Sequence, residues 1–476
     1  MHIAFRFLPL SSMMVLAACT LGPDYQGPAS AGAPVPGQNF VRADGETRTT
    51  APAVAQWWTT LGDPILNELQ SRALAGNPSL AATQARMQQA RAALRQEKRN
   101  SLPSIGASGT YAHAQLPGID LSEITNGETE GKIDEMNLFN LGLDASWEID
   151  LFGGQRRTVE ASRAQLDAAI ATIADAQVSL TADVAQSYVT LRDVQQRLSL
   201  ARQIIDDQQA IMKLVEQRFA QGAASASMVE MQRQLLEQKK AAIHPLQAEQ
   251  DAQRNALAVL TGQAPGALDD MLGTGGAIPL PPANVDIGDP AALIQRRPDI
   301  RAAERKYAAA TAKIGVAEAA RFPRLSFMGI IGMGGSQIDN VIDPDNLSAI
   351  ALPRLTWNFL DFGRSAARVR QAEGARDEAA AQYNQAVLGA LRDTEDSLTR
   401  YGAYRQALIN VARTEASAER TVAIAQQRFN AGTVNRITFL EQERDLRTAR
   451  QSLSEATARM TAGYIALQKA LGLGWQ

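Results

Sequence analysis

The sequence predicts a mainly α-helical chain with a small β part. Two internal repeats each contribute a pair of β-strands and a long coiled-coil helical hairpin, so the chain carries four strands. Three observations carry this reading. First, from Leu166 to Phe219 the chain steps in alternating fours and threes through apolar residues such as Leu180, Val184, Leu191, Leu198, Ile205 and Val215, and only Gln177, Ser187 and Gln208 in the series are polar. A 4-3 spacing held this long is a heptad seam, which must lie against neighbouring helices. Residues 155–221 contain neither Pro nor Gly, and a helix of that length is roughly 100 Å long at its rise per residue. Second, a shift of 210 residues brings Trp147 onto Trp357, Phe152-Gly153 onto Phe362-Gly363, Gln217-Arg218-Phe219 onto Gln427-Arg428-Phe429, Gly222 onto Gly432 and Gly262 onto Gly472. Upstream the shift is 220, bringing Pro78 onto Pro298 and Pro103 onto Pro323, so ten extra residues lie between Pro103 and Trp147 in the first copy. A register this constant, carried by Trp and Gly, marks a duplicated unit. Third, over residues 138–151 Phe139, Leu141, Leu143, Trp147, Ile149 and Leu151 alternate with Asn140, Asp144, Glu148 and Asp150, which is the period of a strand with one apolar and one very polar face.

Arg6 precedes an apolar run from Phe7 to Ala18 that is too short to span a bilayer, so residues 1–18 read as a signal peptide. Leu16-Ala17-Ala18-Cys19 resembles the bacterial lipobox, which makes Cys19, the only cysteine, the expected lipid attachment site and rules out intrachain disulfides. Thr20 rather than Asp follows it, which by the same resemblance favours sorting to the outer membrane. Residues 19–56 are rich in Gly, Pro, Ala and Thr without apolar periodicity and read as an extended, lipid-anchored tether.

The first repeat, 57–262, opens at Trp57-Trp58 and Asp63-Pro64. A helix follows to about Ala75, and Asn77-Pro78 starts another to about Asn100. Strands are expected at about 102–115 and 137–151, joined by an acidic, Gly-containing connection, and a helical hairpin at 154–262. The connector 263–295 is punctuated by Gly273-Thr274-Gly275-Gly276, Pro279 and Pro281-Pro282. The second repeat, 296–472, has weaker strands at about 324–334 and 348–360 and its own hairpin at 364–472. In the first repeat, the helices 77–100 and 226–261 are about 36 and 54 Å long. Stacked end to end they nearly match the long helix and form its antiparallel partner.

Strands with one apolar face suit a soluble sandwich or a membrane barrel. Asp144, Glu148 and Asp150 on the polar face suit a wet lumen, and the hairpins begin and end in long helices that leave no second sheet to pack on. Both features favour the barrel, with Trp147 and Trp357 as its interfacial girdle. Four strands do not close a barrel, since the smallest known have eight, and open edges are not viable in lipid. The barrel reading therefore requires several chains to share one barrel.

A net charge of −3 gives no argument for nucleic acid as a partner. No catalytic constellation is found: His2, His113 and His244 are far apart, and no paired CxxC, HExxH or GxSxG occurs. No cofactor or metal is expected, and the chain does not read as an enzyme. Gly332-Met333-Gly334-Gly335 lacks the Lys-Ser/Thr of a phosphate loop and reads as a strand end.

The lipobox, Gly22-Pro23-Asp24-Tyr25, Trp57-Trp58 with Gly62-Asp63-Pro64, Arg296-Arg297-Pro298-Asp299-Ile300-Arg301 and the paired Arg-Phe-x-x-Gly turns together resemble the TolC family, and most nearly its outer-membrane efflux lipoproteins of the NodT/OprM-like group. The resemblance covers essentially the whole mature chain. It implies a homotrimer with a shared 12-stranded outer-membrane β-barrel and a periplasmic α-barrel tunnel. It also implies two protein partners, a periplasmic adaptor (membrane fusion) protein and an inner-membrane RND-type pump. The implied function is the exit duct of a tripartite efflux system in the outer membrane of a Gram-negative bacterium, passing drugs or other small toxic compounds outward. A duct for protein secretion and a non-channel periplasmic coiled-coil scaffold lipoprotein are the rival readings.

In such a duct, function lies at the periplasmic ends of the hairpins. The resemblance implies adaptor docking at Arg218, Gly222, Ala223 and Ser225 in the first copy and at Gly432, Thr433 and Val434 in the second. It also implies a ring of carboxylates six and nine residues after Gly432. These positions are Thr438 and Glu441 here, so one of the two acids is missing. Three copies of Glu441 are expected to form an anionic ring, with Arg436 and Arg428 closing it through salt bridges. Thr394 and Glu415 stand where the first copy has Val184 and Ile205, so the second hairpin is expected to be the one that moves.

Overall fold

The structure, a computed structural model, describes residues 20–28, 39–43, 47–48, 55–120 and 132–475. The expected signal peptide, Cys19 and most of the expected tether lie outside the described residues, as does much of the connection between the first two long strands. In chain order the elements are β1 (Thr47–Arg48), α1 (Pro64–Gly76), α2 (Pro78–Asn100), β2 (Ser104–Asp120), β3 (Lys132–Ile149), α3 (Gly154–Ala220), α4 (Ala226–Ala241), α5 (Ile243–Leu260), α6 (Asp269–Leu272), β4 (Val285–Asp286), α7 (Pro290–Arg296), α8 (Pro298–Ala319), β5 (Arg324–Gly335), β6 (Leu347–Thr356), α9 (Arg364–Asn430) and α10 (Arg436–Ala470). The return helix of the first hairpin, expected as one piece, breaks at Ala242. Pro245 in the first turn of α5 has no N–H to give to the carbonyl of Ala241, so the ladder is interrupted there.

Internal contacts divide the chain into two compact units, and each long helix runs from one into the other. The first holds Gln88–Ala168, Glu304–Gln382 and the described part of the first 28 residues. Its centre is a four-stranded antiparallel sheet of order β2-β3-β5-β6. The register sets Ala145 opposite Gly329 and Trp147 opposite Phe327. β2 and β3 are longer than expected, at 17 and 18 residues, because Gln115–Asp120 and Lys132–Met136 continue the ladder past a register shift between Gln115 and Ile119. β6 stops at Thr356, just before Trp357, whose indole is held by a turn instead of the ladder.

The second unit holds Ala29–Met87, Ala169–Ala303 and Tyr383–Gln476. Its core packs Trp57, Leu66, Leu69, Tyr188, Leu191, Leu257 and Tyr464 together. The opening Trp57-Trp58 and Asp63-Pro64 have a plain role here. Both indoles are buried, and Asp63 caps α1 by accepting from the Ile65 and Leu66 N–H groups while its other oxygen accepts from the Tyr188 hydroxyl at 2.7 Å. Around Tyr188–Gln195 α3 is buried on almost all sides, because α1, the connector and α10 wrap it there. The heptad seam therefore widens into a full core, whereas Ile170 and Phe219 on the same seam stay exposed.

The ends of α2 and α5 meet as the lengths suggested. Asn77 Nδ2 donates to the Leu260 carbonyl at 2.9 Å, and a Cβ on Gly262 would collide with the backbone of Gly76. The repeat builds the same joint again: Arg297 stands at the position of Asn77 and donates to the Ala470 carbonyl at 2.7 Å. Thr394, polar where the first copy has Val184, is fully buried, and its hydroxyl donates to the Ala390 and Ala470 carbonyls. Glu415, polar where the first copy has Ile205, pairs with Arg450 at 3.1 Å.

Candidate functional site

Period-2 alternation gives the sheet two distinct faces. One face carries Ile105, Tyr111, Leu141, Leu143, Trp147, Phe327, Ile331, Leu347 and Leu355, all exposed, Ile105 at 74 % and Leu355 at 67 %. An apolar surface continuous across four strands is far larger than a water-soluble protein leaves open. The opposite face carries Ser108, Thr110, Asn140, Asp144, Ser146 and Glu148 on β2 and β3, but Met328, Ile330, Ile350 and Leu352 beside Ser326, Ser348 and Arg354 on β5 and β6. The polar face thus thins in the second copy. The outer ladders of β2 and β6 are open.

Trp147 and Trp357, the tryptophans expected to form the girdle, lie at one end of this sheet and are held in the same way. Trp147 Nε1 donates to the Ser101 carbonyl at 3.0 Å and Trp357 Nε1 to the Arg321 carbonyl at 3.1 Å. Ser101 and Arg321 are repeat equivalents under the 220-residue shift, each in the turn that leads from a helix into a strand. The following helices start under carboxylate caps, with Asp150 accepting from the N–H groups of Gln155 and Arg156, and Asp361 from those of Gly363 and Ser365. The hydrogen bonds from Ser365 hold the Asp361 carboxyl below the usual carboxylate range.

Beside this end of the sheet, residues 20–25 form a docked strap, although composition placed them in an extended tether. Arg157 of α3 organises it. Its side chain is only 3 % exposed, and its guanidinium donates to the Leu21 and Gly22 carbonyls at 3.0 Å each, to Asp24 at 2.7 Å and to Glu160 at 2.8 Å. Burial opposes the charge, but Glu160 and Asp24 outweigh it and leave the Arg157 pKa raised. Backbones touch along the strap: a Cβ on Gly22, at φ +88°, would collide with the Gly315 Cα, and one on Gly153 would lie 2.8 Å from the Thr20 Cα. Tyr25 closes the strap by donating to Glu304 at 3.0 Å and packing edge-on to Tyr307. Burial and Glu304 push its phenol pKa up.

The two hairpin turns have one design. Gly222 and Gly432 sit at φ +71° and +68°. The Gly222 N–H donates to the Phe219 carbonyl and the Ala223 N–H to that of Arg218, and Gly432 and Thr433 do the same with Phe429 and Arg428. This is a Schellman cap, so the paired Arg-Phe-x-x-Gly motif is explained by backbone geometry, with the arginine carbonyl as acceptor. Ser225 and Asn435 then cap the return helices by accepting from the Met228 and Thr438 N–H groups. Ala223, Ser225 and Thr433 are exposed and Val434 is half-buried.

The expected gate residues take positions that the sequence did not suggest. Arg436 stacks over the rings of Phe429 and Phe439, with its guanidinium carbon 5.5 and 5.1 Å from the centroids, while the rings stack on each other at 5.8 Å. Among the described residues neither Arg436 nor Arg428 has a salt bridge, so the closing salt bridges expected of them are not formed within the chain. The reason is local: two aromatic faces flank Arg436, and Asp207, a carboxylate that feels its charge, is already paired with Arg447. Thr438 is occupied by the Asn435 cap, donating to it from both its N–H and its hydroxyl. Glu441 is half-buried.

A polar clasp that the sequence reading missed lies further up the same unit. It sits next to the small apolar cluster of Ile211, Val215, Val229 and Leu440. Gln208 accepts from Arg444 and donates to Gln232 at 2.6 Å, and Arg447 lies 3.0 Å from Asp207. The last pair is an ion pair but not an aligned hydrogen bond, since both facing atoms are buried without a well-directed partner. Burial pushes the Asp207 pKa up, and Arg447 pulls it back. Gln208 had a signal in the sequence, as a polar residue in an apolar seam, whereas Arg447 had none.

Comparison with known proteins fits this arrangement. The sequence is 29 % identical to the outer membrane protein OprJ of Pseudomonas aeruginosa, covering 99 % of this chain and 96 % of the relative. It is 29 % identical to the pyoverdine export outer membrane protein OpmQ of the same organism, covering 98 % and 96 %. The solved structure of the outer-membrane channel OprN matches with a TM-score of 0.83 at 32 % identity, over 96 % of this chain and 100 % of that one. These likenesses describe a transport component and not an enzyme. The model of the family described as "outer membrane efflux protein" matches residues 69–263 and 290–473, most of the sequence and both repeats, and the chain belongs to that family.

Proposed function

We propose that three copies of this chain build one duct through the outer membrane, which passes drugs or other small toxic compounds outward from the periplasm. The observation that carries this reading is the open-edged sheet with a continuous exposed apolar face. Lipid accepts the face but not the edges, so β6 of one copy must pair with β2 of the next.

The repeat supplies a template for that contact. Within the chain, the second strand of copy one (β3) pairs with the first strand of copy two (β5), and α3 packs on α8 at Gly154–Ala319 and through Ala164, Ala308 and Ala309. Applying the shifts to Ala145 and Gly329 sets Leu355 opposite Gly109 of the partner subunit, and sets α9 against α2 of the partner subunit. The residues at this second joint are complementary. Where α3 presents the long Arg157 to Gly315 of α8, α9 presents Ala367 to Arg95 of the partner subunit. The number three comes from the family resemblance, and gives twelve strands.

The remaining assignments complete this reading. Cys19 carries the lipid anchor, and Trp147 and Trp357 lie at the periplasmic rim of the barrel. The exposed turns at Gly222 and Gly432 dock a periplasmic adaptor, which couples the duct to an inner-membrane RND-type pump. Glu441 forms the anionic ring at the entrance, Arg436 braces its own hairpin end through Phe429 and Phe439, and the Asp207–Arg447 pair holds the hairpins together. A scaffold lipoprotein would use the helices but leave the apolar sheet face in water.

Purified protein in a planar bilayer is expected to conduct with a preference for cations, and Glu441→Ala is expected to bring cation and anion permeabilities close together without abolishing conductance. Absence of any conductance sinks the duct, and unchanged selectivity in the variant sinks the role given to Glu441.

A further inference from the structure

Each chain has one strap but, by its repeat, two places built to the same plan. The strap crosses α8 at Gly315. Glu160 and Arg157 of α3 flank it on one side and Glu373 and Arg376 of α9 on the other, with Glu318 on α8 itself. The equivalent place on α2 lies between α3 of the same chain and α9 of the partner subunit. There Gly315 becomes Arg95, Glu318 becomes Lys98, Glu373 becomes Arg163, and Glu160 becomes Arg370 of the partner subunit. Three acids are exchanged for three bases, and the one close-packing glycine for a fourth.

Arg95, Lys98, Arg163 and Arg370 are all exposed, and none has a salt bridge among the described residues. Four unpaired cations brought together repel one another unless an anion joins them. The strap itself, with its single buried-arginine clamp, is already used at α8. In the proposed assembly the cationic place also adjoins apolar surface. Phe359, Leu360 and Phe362 follow β6 directly and are 78 %, 67 % and 84 % exposed, at the end of the sheet marked by Trp357. Phe152, the first-copy counterpart of Phe362, is instead half-buried and stacked on Phe322, and its carbonyl accepts from the Leu21 N–H of the strap. An occupant must therefore be anionic at one end and apolar at the other.

We infer that an anionic phospholipid of the periplasmic leaflet binds here. Arg95, Lys98 and Arg163 of one copy and Arg370 of the partner subunit hold its phosphate, and its acyl chains lie on the Phe359–Phe362 turn. The site rests on the assembly proposed above, which brings the fourth cation and the turn to the other three. The negative surface potential of anionic headgroups favours each cation separately, so several together select charged lipid over zwitterionic lipid.

The test uses full-length protein extracted in detergent, titrated with phosphatidylglycerol or phosphatidylcholine and read by native mass spectrometry. The wild-type oligomer is expected to retain phosphatidylglycerol preferentially, up to one per copy. Lys98→Gln/Arg163→Gln is expected to keep its oligomeric mass but to lose affinity for phosphatidylglycerol on the order of thirtyfold, and Lys98→Arg/Arg163→Lys to restore most of it. An oligomer without lipid preference, or a double Gln variant that binds as wild type does, overturns the lipid site and leaves the assembly standing. A monomer that still prefers phosphatidylglycerol overturns the assembly and keeps the three-cation part of the site.

Discussion

Leu102→Cys combined with Phe362→Cys is expected to convert the protein in outer membranes into a covalent oligomer when treated with a short bifunctional maleimide, while either substitution alone gives none. The pair follows from the repeat. Phe152 stacks on Phe322 at 4.8 Å between α3 and α8 of one chain. The shifts carry Phe152 to Phe362 and Phe322 to Leu102, which adjoin the two opposite edge strands of the sheet and face across the proposed joint between copies. Both are exposed, Leu102 at 62 %, and Phe362 also holds φ +52°, a conformation that a bulky residue keeps only when its surroundings favour it. Cys19 is the only native cysteine and is expected to be blocked by its lipid, so the background is clean. The ladder on a denaturing gel should end at three chains. A ladder ending at two, or no crosslink in protein that still conducts, contradicts the joint.

Arg157→Ala should release the strap. The guanidinium satisfies two backbone carbonyls and two carboxylates from a nearly dry position. Glu160 and Asp24 are partly or largely exposed and recover water, whereas the Leu21 and Gly22 carbonyls and the packing over Gly315 are lost. A charged group making several such bonds contributes about 3 kcal/mol, so the undocked strap should be about a hundredfold more populated. The readout is proteolysis between residues 20 and 56, which should be faster by a similar factor because cleavage of a rapidly opening segment follows its open population. Arg157→Lys keeps the charge but cannot reach the same set of acceptors, and should fall between the two. Equal cleavage rates in wild type and Arg157→Ala would mean that the Gly22–Gly315 and Tyr25–Glu304 contacts hold the strap without it.

Much of this architecture was legible because it is written in local periods. The heptad seam of α3, the alternation in β3 and the recurring Trp and Gly positions each report local geometry, and the helix hairpins and sheet follow from them. The strap was not legible. Gly22 and Pro23 have the composition of a linker, and what docks them is a close backbone approach to Gly315, about 290 residues away. The clasp was only half legible, since Gln208 is an anomaly in its seam while Asp207 and Arg447 are ordinary charged residues until helix packing brings them together. Arg436 has an intrachain contact that its charge does not announce: its guanidinium stacks on two phenyl rings, which needs no desolvated carboxylate. The Arg-Phe-x-x-Gly motif looked like a docking signal and is first of all a helix cap.

The central claim is that several copies share one barrel, and the native mass of protein extracted in mild detergent from outer membranes tests it most directly. A mass three times that of the mature lipidated chain, stable to dilution, is expected. A monomeric mass in protein that remains folded would contradict it, because the four-stranded sheet would then stand in the membrane with two open edges.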